Sequence, residues 1–173
     1  NGDSLVAESV YGYAIGIDAH LTAAYAYGEA VNAGTISALS HYSDAAGIYL
    51  SSAGYDSDLY VSNSGTISSD AYYGKAFGVI AFATGGYGDA AVTSTGLIEA
   101  TSGGYAAGVV VDAVNTATVY NTGTIDATAA NEGGYHTGAY GVLASTFYQD
   151  AYVFNGGEIN ATAAGGYGVA EGV

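Results

Sequence analysis

Cysteine, proline, methionine and tryptophan are all absent from this chain of 173 residues, and the basic residues are reduced to one, Lys75. Without cysteine there is no disulfide framework and no thiolate zinc site. Sixteen acidic residues against that one cation give a formal charge of −15. Nucleic acid is excluded as a partner, because binding it needs Lys and Arg to displace counterions from phosphate. Anionic membrane surfaces are disfavoured on the same ground. The longest strongly apolar run, residues 76–83, is too short to cross a bilayer, so no membrane insertion is expected. The chain opens at Asn1 with no secretion signal in view, which reads as a mature or excised segment. Val, Ile, Leu and Phe make up only about a fifth of the residues, at the edge of the range in which highly charged chains stay disordered. Pattern, not composition, must therefore decide whether it folds.

The pattern is a repeat. Asn32-Ala33-Gly34-Thr35-Ile36-Ser37-Ala38 returns as Asn63-Ser64-Gly65-Thr66-Ile67-Ser68-Ser69, with later copies starting at Ser94, Asn121 and Asn155 and a degenerate first copy at Asn1. The steps run from 27 to 34 residues. A second motif interleaves with it: Ala14-Ile15-Gly16-Ile17, Ala45-Ala46-Gly47-Ile48, Ala76-Phe77-Gly78-Val79, Ala106-Ala107-Gly108-Val109, Ala139-Tyr140-Gly141-Val142 and Gly166-Tyr167-Gly168-Val169. Two motifs sharing one period rule out chance similarity. Their unequal steps mark loops that tolerate insertion.

Within the first motif, Leu5, Ile36, Ile67, Ile98, Ile125 and Ile159 are followed two residues later by Ala or Ser, with polar residues between. Period-two alternation means a strand with one buried face. The second motif offers Ile17, Ile48, Val79, Val109, Val142 and Val169 in the same way. A third apolar position precedes the Asn motif at Val31, Val61, Val92, Val119 and Val153. Three short strands per repeat with no helical period predict an all-β parallel β-helix of five to six coils, one solenoid domain over residues 1–173. No single repeat can bury its own apolar face; stacking makes the core. Asn1, Asn32, Asn63, Asn121 and Asn155 are expected to form an internal amide ladder, as stacked Asn does in cross-β arrays. The competing explanation is a plain turn-former. The glycine two residues on is expected to supply positive φ at the corner.

The pattern Val-x-Asn-x-Gly-Thr-Ile-x-Ala, followed by Ala-x-Gly-Val, resembles the passenger repeats of autotransporters and related filamentous adhesins of Gram-negative bacteria. The resemblance spans essentially the whole chain. It implies a right-handed coil and a secreted bacterial protein, extracellular or at the cell surface. It is weak for activity, since adhesins, fibres and enzymes share that rod.

A fibre is the function expected first. The chain ends in Glu171-Gly172-Val173, which reads like Glu29-Ala30-Val31 ahead of an Asn motif, and it begins on one. The unit therefore looks like one period of a continuing solenoid, either a tandem repeat or a head-to-tail homopolymer, with no polar cap at either end. Asn1, Gly2, Asp3, Leu5, Val169 and Val173 are the expected end-to-end contacts. The alternative is an adhesin passenger whose Tyr-rich loops, with recurrent Gly-Gly-Tyr at Gly85, Gly103, Gly133 and Gly165, bind glycans or other surfaces. Tyrosine suits either lateral contacts or strand filling. Ice binding needs an unbroken Thr ladder, and Leu97/Glu99 and Glu158/Asn160 interrupt it.

Other chemistry is sparse. Asp56 and Asp58, with Asp70 later in the coil, are the candidate calcium ligands; solvated acidic loops are the plainer explanation. Gly85-Gly86-Tyr87-Gly88-Asp89 misses the calcium-binding nonapeptide by one position. His20, His41 and His136 share no repeat position, so no other metal site is expected. No carboxylate pair is marked out for glycoside hydrolysis, and one lysine cannot hold an acidic polysaccharide. No catalytic residues and no cofactor are expected. Asn160-Ala161-Thr162 is a glycosylation sequon.

Overall fold

Each Asn-x-Gly-Thr-Ile copy folds as a tight turn running into a strand whose alternate residues point inward. The computed structural model describes residues 2–130, 137–164 and 168–173, and these form strands and loops with no helix among them. Strands β1 (Ser4–Ser9), β4 (Thr35–Ser40), β7 (Thr66–Ala71), β10 (Leu97–Ser102), β13 (Thr124–Ala129) and β16 (Glu158–Ala163) build sheet A. Sheet B holds β2 (Ala14–Leu21), β5 (Ala45–Ser52), β8 (Lys75–Ala83), β11 (Tyr105–Ala113), β14 (Gly138–Thr146) and β17 (Val169–Glu171). Sheet C holds β3 (Tyr27–Asn32), β6 (Asp58–Asn63), β9 (Ala90–Ser94), β12 (Ala117–Asn121) and β15 (Ala151–Asn155). Every neighbour in a sheet comes from the next coil and runs parallel. The chain is a β-solenoid with three strands per coil, as the repeat predicts.

Register follows the repeat. Leu5, Ile36, Ile67, Ile98, Ile125 and Ile159 pair successively along sheet A. The four central isoleucines are fully buried, each worth roughly 1.5–3 kcal/mol of burial. They share one core cluster with Ile48, Val79, Val109 and Val142 of sheet B and Leu59, Val61, Val92 and Val119 of sheet C. A separate cluster made wholly of alanine joins sheets A and B, including Ala38, Ala45, Ala76, Ala100, Ala106 and Ala127.

Two glycine columns set the spacing. A Cβ on Gly16, Gly47, Gly78, Gly108 or Gly141 would fall 2.1–2.3 Å from Cγ2 of Ile36, Ile67, Ile98, Ile125 or Ile159 respectively. The second motif is therefore a notch that seats the isoleucine of the following coil. The first-motif glycines act differently from expectation. None of Gly34, Gly65, Gly96, Gly123 and Gly157 adopts positive φ; a Cβ there would sit 2.0–2.1 Å from a carbonyl oxygen of the coil before. Close backbone approach, not a left-handed dihedral, requires glycine at these turns.

Three further expectations need correction. Val31 is not in the sheet C column: Ala30 pairs with Val61, and Val31 is 48% exposed. Counting back from the Asn gives the reason, since Val61 stands two residues before Asn63 and Val31 only one before Asn32. The sixth copy of the second motif is Ala170-Glu171-Gly172-Val173, not residues 166–169. Ala170 pairs with Ala139, and the Gly172 carbonyl accepts the Val142 N–H at 2.9 Å. Val169 pairs with Gly138 and does not continue the Val142 column. The junction changes with it. Glu171-Gly172-Val173 lies in the sheet B register, not ahead of an Asn motif as Glu29-Ala30-Val31 does, so joining Val173 to Asn1 omits the sheet C strand a coil needs.

Candidate functional site

The expected asparagine ladder is an internal structure. Asn32, Asn63 and Asn121 are buried at the start of the sheet A turn. The Asn32 Nδ2 donates to Asn63 Oδ1 at 2.9 Å and to the Thr66 carbonyl at 3.1 Å. Asn121 does the same to Asn155 Oδ1 at 2.8 Å and to the Glu158 carbonyl at 3.1 Å. Each Oδ1 of Asn32, Asn121 and Asn155 also accepts the N–H of the glycine two residues on. The side chain is thus both turn-former and coil-to-coil link. Asn1 lies outside the described residues. Ser94 stands in the middle, buried, and accepts from Asn63 Nδ2 at 3.3 Å. Ser94→Asn restores the amide, and we expect it to raise stability by about 1 kcal/mol. Chemical denaturation checks this; an unchanged or lower midpoint would contradict the ladder as a stabilising element.

At the end coils the same columns lose cover. Leu5, Ile17 and Leu21 at one end and Ala144, Val153 and Ile159 at the other pack on the core while only partly buried. Of the expected end contacts, Gly2 is exposed; the Asp3 carbonyl accepts the Thr35 N–H at 2.9 Å. Val169 and Val173 are exposed. The outward positions Thr35, Thr66, Leu97, Thr124 and Glu158 share one register row, so the threonine row is interrupted in space as in sequence.

Tyrosine follows the register too, which composition did not reveal. Tyr11, Tyr42 and Tyr73 form a column at the corner between sheets A and B, with centroids 5.3 and 5.4 Å apart and planes within 9°. Beside it His41 stacks on Tyr72 at 5.0 Å. Tyr25, Tyr55 and Tyr87 form an edge-to-face column. Of the Gly-Gly-Tyr copies, Tyr87 lies in that loop column, while Tyr105 opens β11 between Phe77 and Tyr140. The copies at Gly133 and Gly165, and His136, lie outside the described residues.

At two phenols burial is the first cause of a raised pKa. Burial first, and then the neighbouring Tyr140, raises the Tyr105 pKa; burial, then Asp58, Asp89 and Tyr27, raises that of Tyr60. A raised phenol holds its proton more tightly folded than unfolded. Its contribution is complete below the unfolded value of about 10 and disappears as pH climbs through the folded value. Thermal stability should therefore hold to that pH and fall above it. Melting curves beside a spectroscopic tyrosinate titration test this; loss of stability well below pH ~10 would contradict it.

The acidic loops have a structural task. Asp44 accepts the Lys75 N–H at 2.8 Å, Asp58 the Asp89 N–H at 3.2 Å, and Asp89 the Thr116 N–H at 2.9 Å. Each carboxylate ties its loop to the next coil. Of the calcium candidates, Asp58 is such a tether, and the Asp56 N–H donates to the Ala24 carbonyl at 2.8 Å. Among the described residues no group of three or more His, Asp or Glu is placed to hold a metal ion. His20 pairs with Asp18 at 3.0 Å on the surface.

Comparison with protein-family models, curated proteins and solved structures returns no match for this chain.

Proposed function

We propose that this chain is a structural rod, a β-helical segment of an extracellular or cell-surface fibre that lengthens by end-to-end addition of coils. The observation that carries the reading is the column from Leu5 to Ile159, which runs in register through every coil and is sealed in the middle but only partly covered at its ends. A further coil, continued in the chain or brought by a second copy, gains backbone hydrogen bonds and aliphatic burial at once. One strand in sheet C must be supplied at the Val173 end for the register to continue. The likeness of the repeats to passenger and filamentous adhesin repeats supports a place outside the cell. The acidic coat keeps rods soluble and apart. No catalysis, metal or cofactor enters this function.

The rival is a glycan-binding adhesin working through its tyrosines. Sugar stacking needs a free ring face; in the Tyr11–Tyr42–Tyr73 column the middle ring has a neighbour on each side, while Tyr11 at its end is 83% exposed. Electron microscopy of the native material separates the two. Filaments of rods joined end to end, shortened by Ile159→Arg, support the fibre. Isolated rods of roughly 25–30 Å, at ~4.8 Å per coil, would remove it, and selective glycan-array binding lost with Tyr11→Ala would favour the adhesin.

A further inference from the structure

The turns that join sheet A to sheet B in the first three coils continue the parallel backbone ladder. The His41 and Tyr42 N–H groups donate to the Ser9 and Val10 carbonyls at 3.1 and 3.0 Å, and the Tyr72 and Tyr73 N–H groups to the Ser40 and His41 carbonyls, both at 3.1 Å. Tyr11, Tyr42 and Tyr73 are thereby held over one another, nearly parallel, with centroids 5.3 and 5.4 Å apart. They remain 83%, 53% and 56% exposed. The Tyr25–Tyr55–Tyr87 column is a match in exposure, at 77%, 55% and 54%, but its rings cross at 75° and 80°.

We propose that the parallel column is a covalent cross-linking site: under hydrogen peroxide and a haem peroxidase, Tyr42 couples to Tyr11 or Tyr73 and staples consecutive coils together. Each phenol gives up one electron and one proton to the oxidant and becomes a phenoxyl radical. Two neighbouring radicals join by a carbon–carbon bond between ring positions ortho to oxygen. Each of those carbons then passes its hydrogen to the oxygen, restoring two phenols. The pair has lost two hydrogen atoms in all, and the peroxide is reduced to two molecules of water.

Three observations select this column. Parallel rings present the π lobes of their ortho carbons to one another, whereas an edge-to-face pair offers a C–H edge to a ring face. A partner fixed in the next coil is always at hand, which raises its effective concentration far above that of another molecule. Rods of charge −15 also repel one another, so a radical on one rod meets its own neighbour first. The third is the lack of cysteine. A link from Tyr11 to Tyr42 closes a loop of one repeat and constrains the unfolded chain as a disulfide over that loop would. The staple is independent of end-to-end growth.

Peroxidase treatment of the dilute purified chain at low salt tests it, read by dityrosine fluorescence on a denaturing gel and by peptide mapping. Dityrosine is expected in the monomer band. Cleavage at acidic residues releases residues 30–44, in which Tyr42 is the only tyrosine. That peptide should be joined to Tyr11 or Tyr73, several-fold more often than Tyr55 is joined to Tyr25 or Tyr87. The linked monomer should melt about 5–10 °C higher than the untreated chain. Tyr42→Phe keeps the ring and removes the phenol; with its circular dichroism unchanged, it should lose both the links and the gain, while Tyr55→Phe keeps them. Dityrosine absent from the monomer would overturn the proposal. So would links from Tyr42 no more frequent than those from Tyr55, or a linked monomer that melts no higher.

Discussion

Ile67→Asp is expected to abolish folding. Ile67 is 0% exposed, lies between Ile36 and Ile98 in sheet A, and fills the notch over Gly47. The substitution forfeits roughly 1.5–3 kcal/mol of burial. It also puts a carboxylate where no described cation is near, since Lys75, the one basic residue, sits exposed at the start of β8. An unpaired buried charge costs several kcal/mol more. The sum is comparable with the whole stability of an ordinary domain, about 5–15 kcal/mol. Far-UV circular dichroism should show the β signal lost, or a melting point lower by more than about 10 °C. Ser37→Asp, on an outward position of β4, should stay within about 0.5 kcal/mol. Equal behaviour of the two would mean that sheet A does not face inward as described.

The second large effect comes from a single methyl group. Gly96→Ala places a Cβ 2.0 Å from the Gly65 carbonyl oxygen and within 3 Å of two more backbone atoms of the preceding coil. No side chain can rotate out of the way, so the coils must part. We expect a loss of about 3 kcal/mol, at the upper end of overpacking penalties. Gly104→Ala is the matched control, because nothing lies within 4 Å of its Cβ position; there a gain of up to about 1 kcal/mol is expected from the unfolded chain. Gly96→Asn distinguishes the causes. A left-handed turn would accept asparagine, while a contact with the neighbouring backbone rejects it. Denaturant melts of the three variants settle the order.

The contrast between those glycines and the isoleucines marks how far the sequence could be read. The isoleucine column was legible because it recurs at a fixed place in an alternating segment, and alternation maps directly onto the two faces of a strand. The asparagines were legible because one polar type recurs beside them. Val31 misled through resemblance of type. A valine adjacent to the column position outweighed the alanine that holds it, although counting from Asn32 and Asn63 places Ala30 opposite Val61. The last second-motif copy went astray for a related reason: Gly168-Val169 and Gly172-Val173 both fit, and only pairing with β14 selects the latter. The turn glycines could not be understood from one coil, because what excludes a Cβ there belongs to another. The aromatic columns and loop carboxylates were hidden likewise, since partners one repeat apart become neighbours only once register is fixed.

Coil-on-coil register can be measured directly, because the chain has no cysteine and spin labels attach only where one is introduced. Val6, Ser37, Ser68 and Asn160 occupy one outward row of sheet A, through Glu99 and Asp126. Labels paired with Asn160→Cys should lie about 14 Å away at Ser68→Cys, about 19 Å at Ser37→Cys and about 24 Å at Val6→Cys, growing by one strand spacing per coil. Distances that do not rise in that order, or that fail to grow by a constant step, would contradict the layered stack.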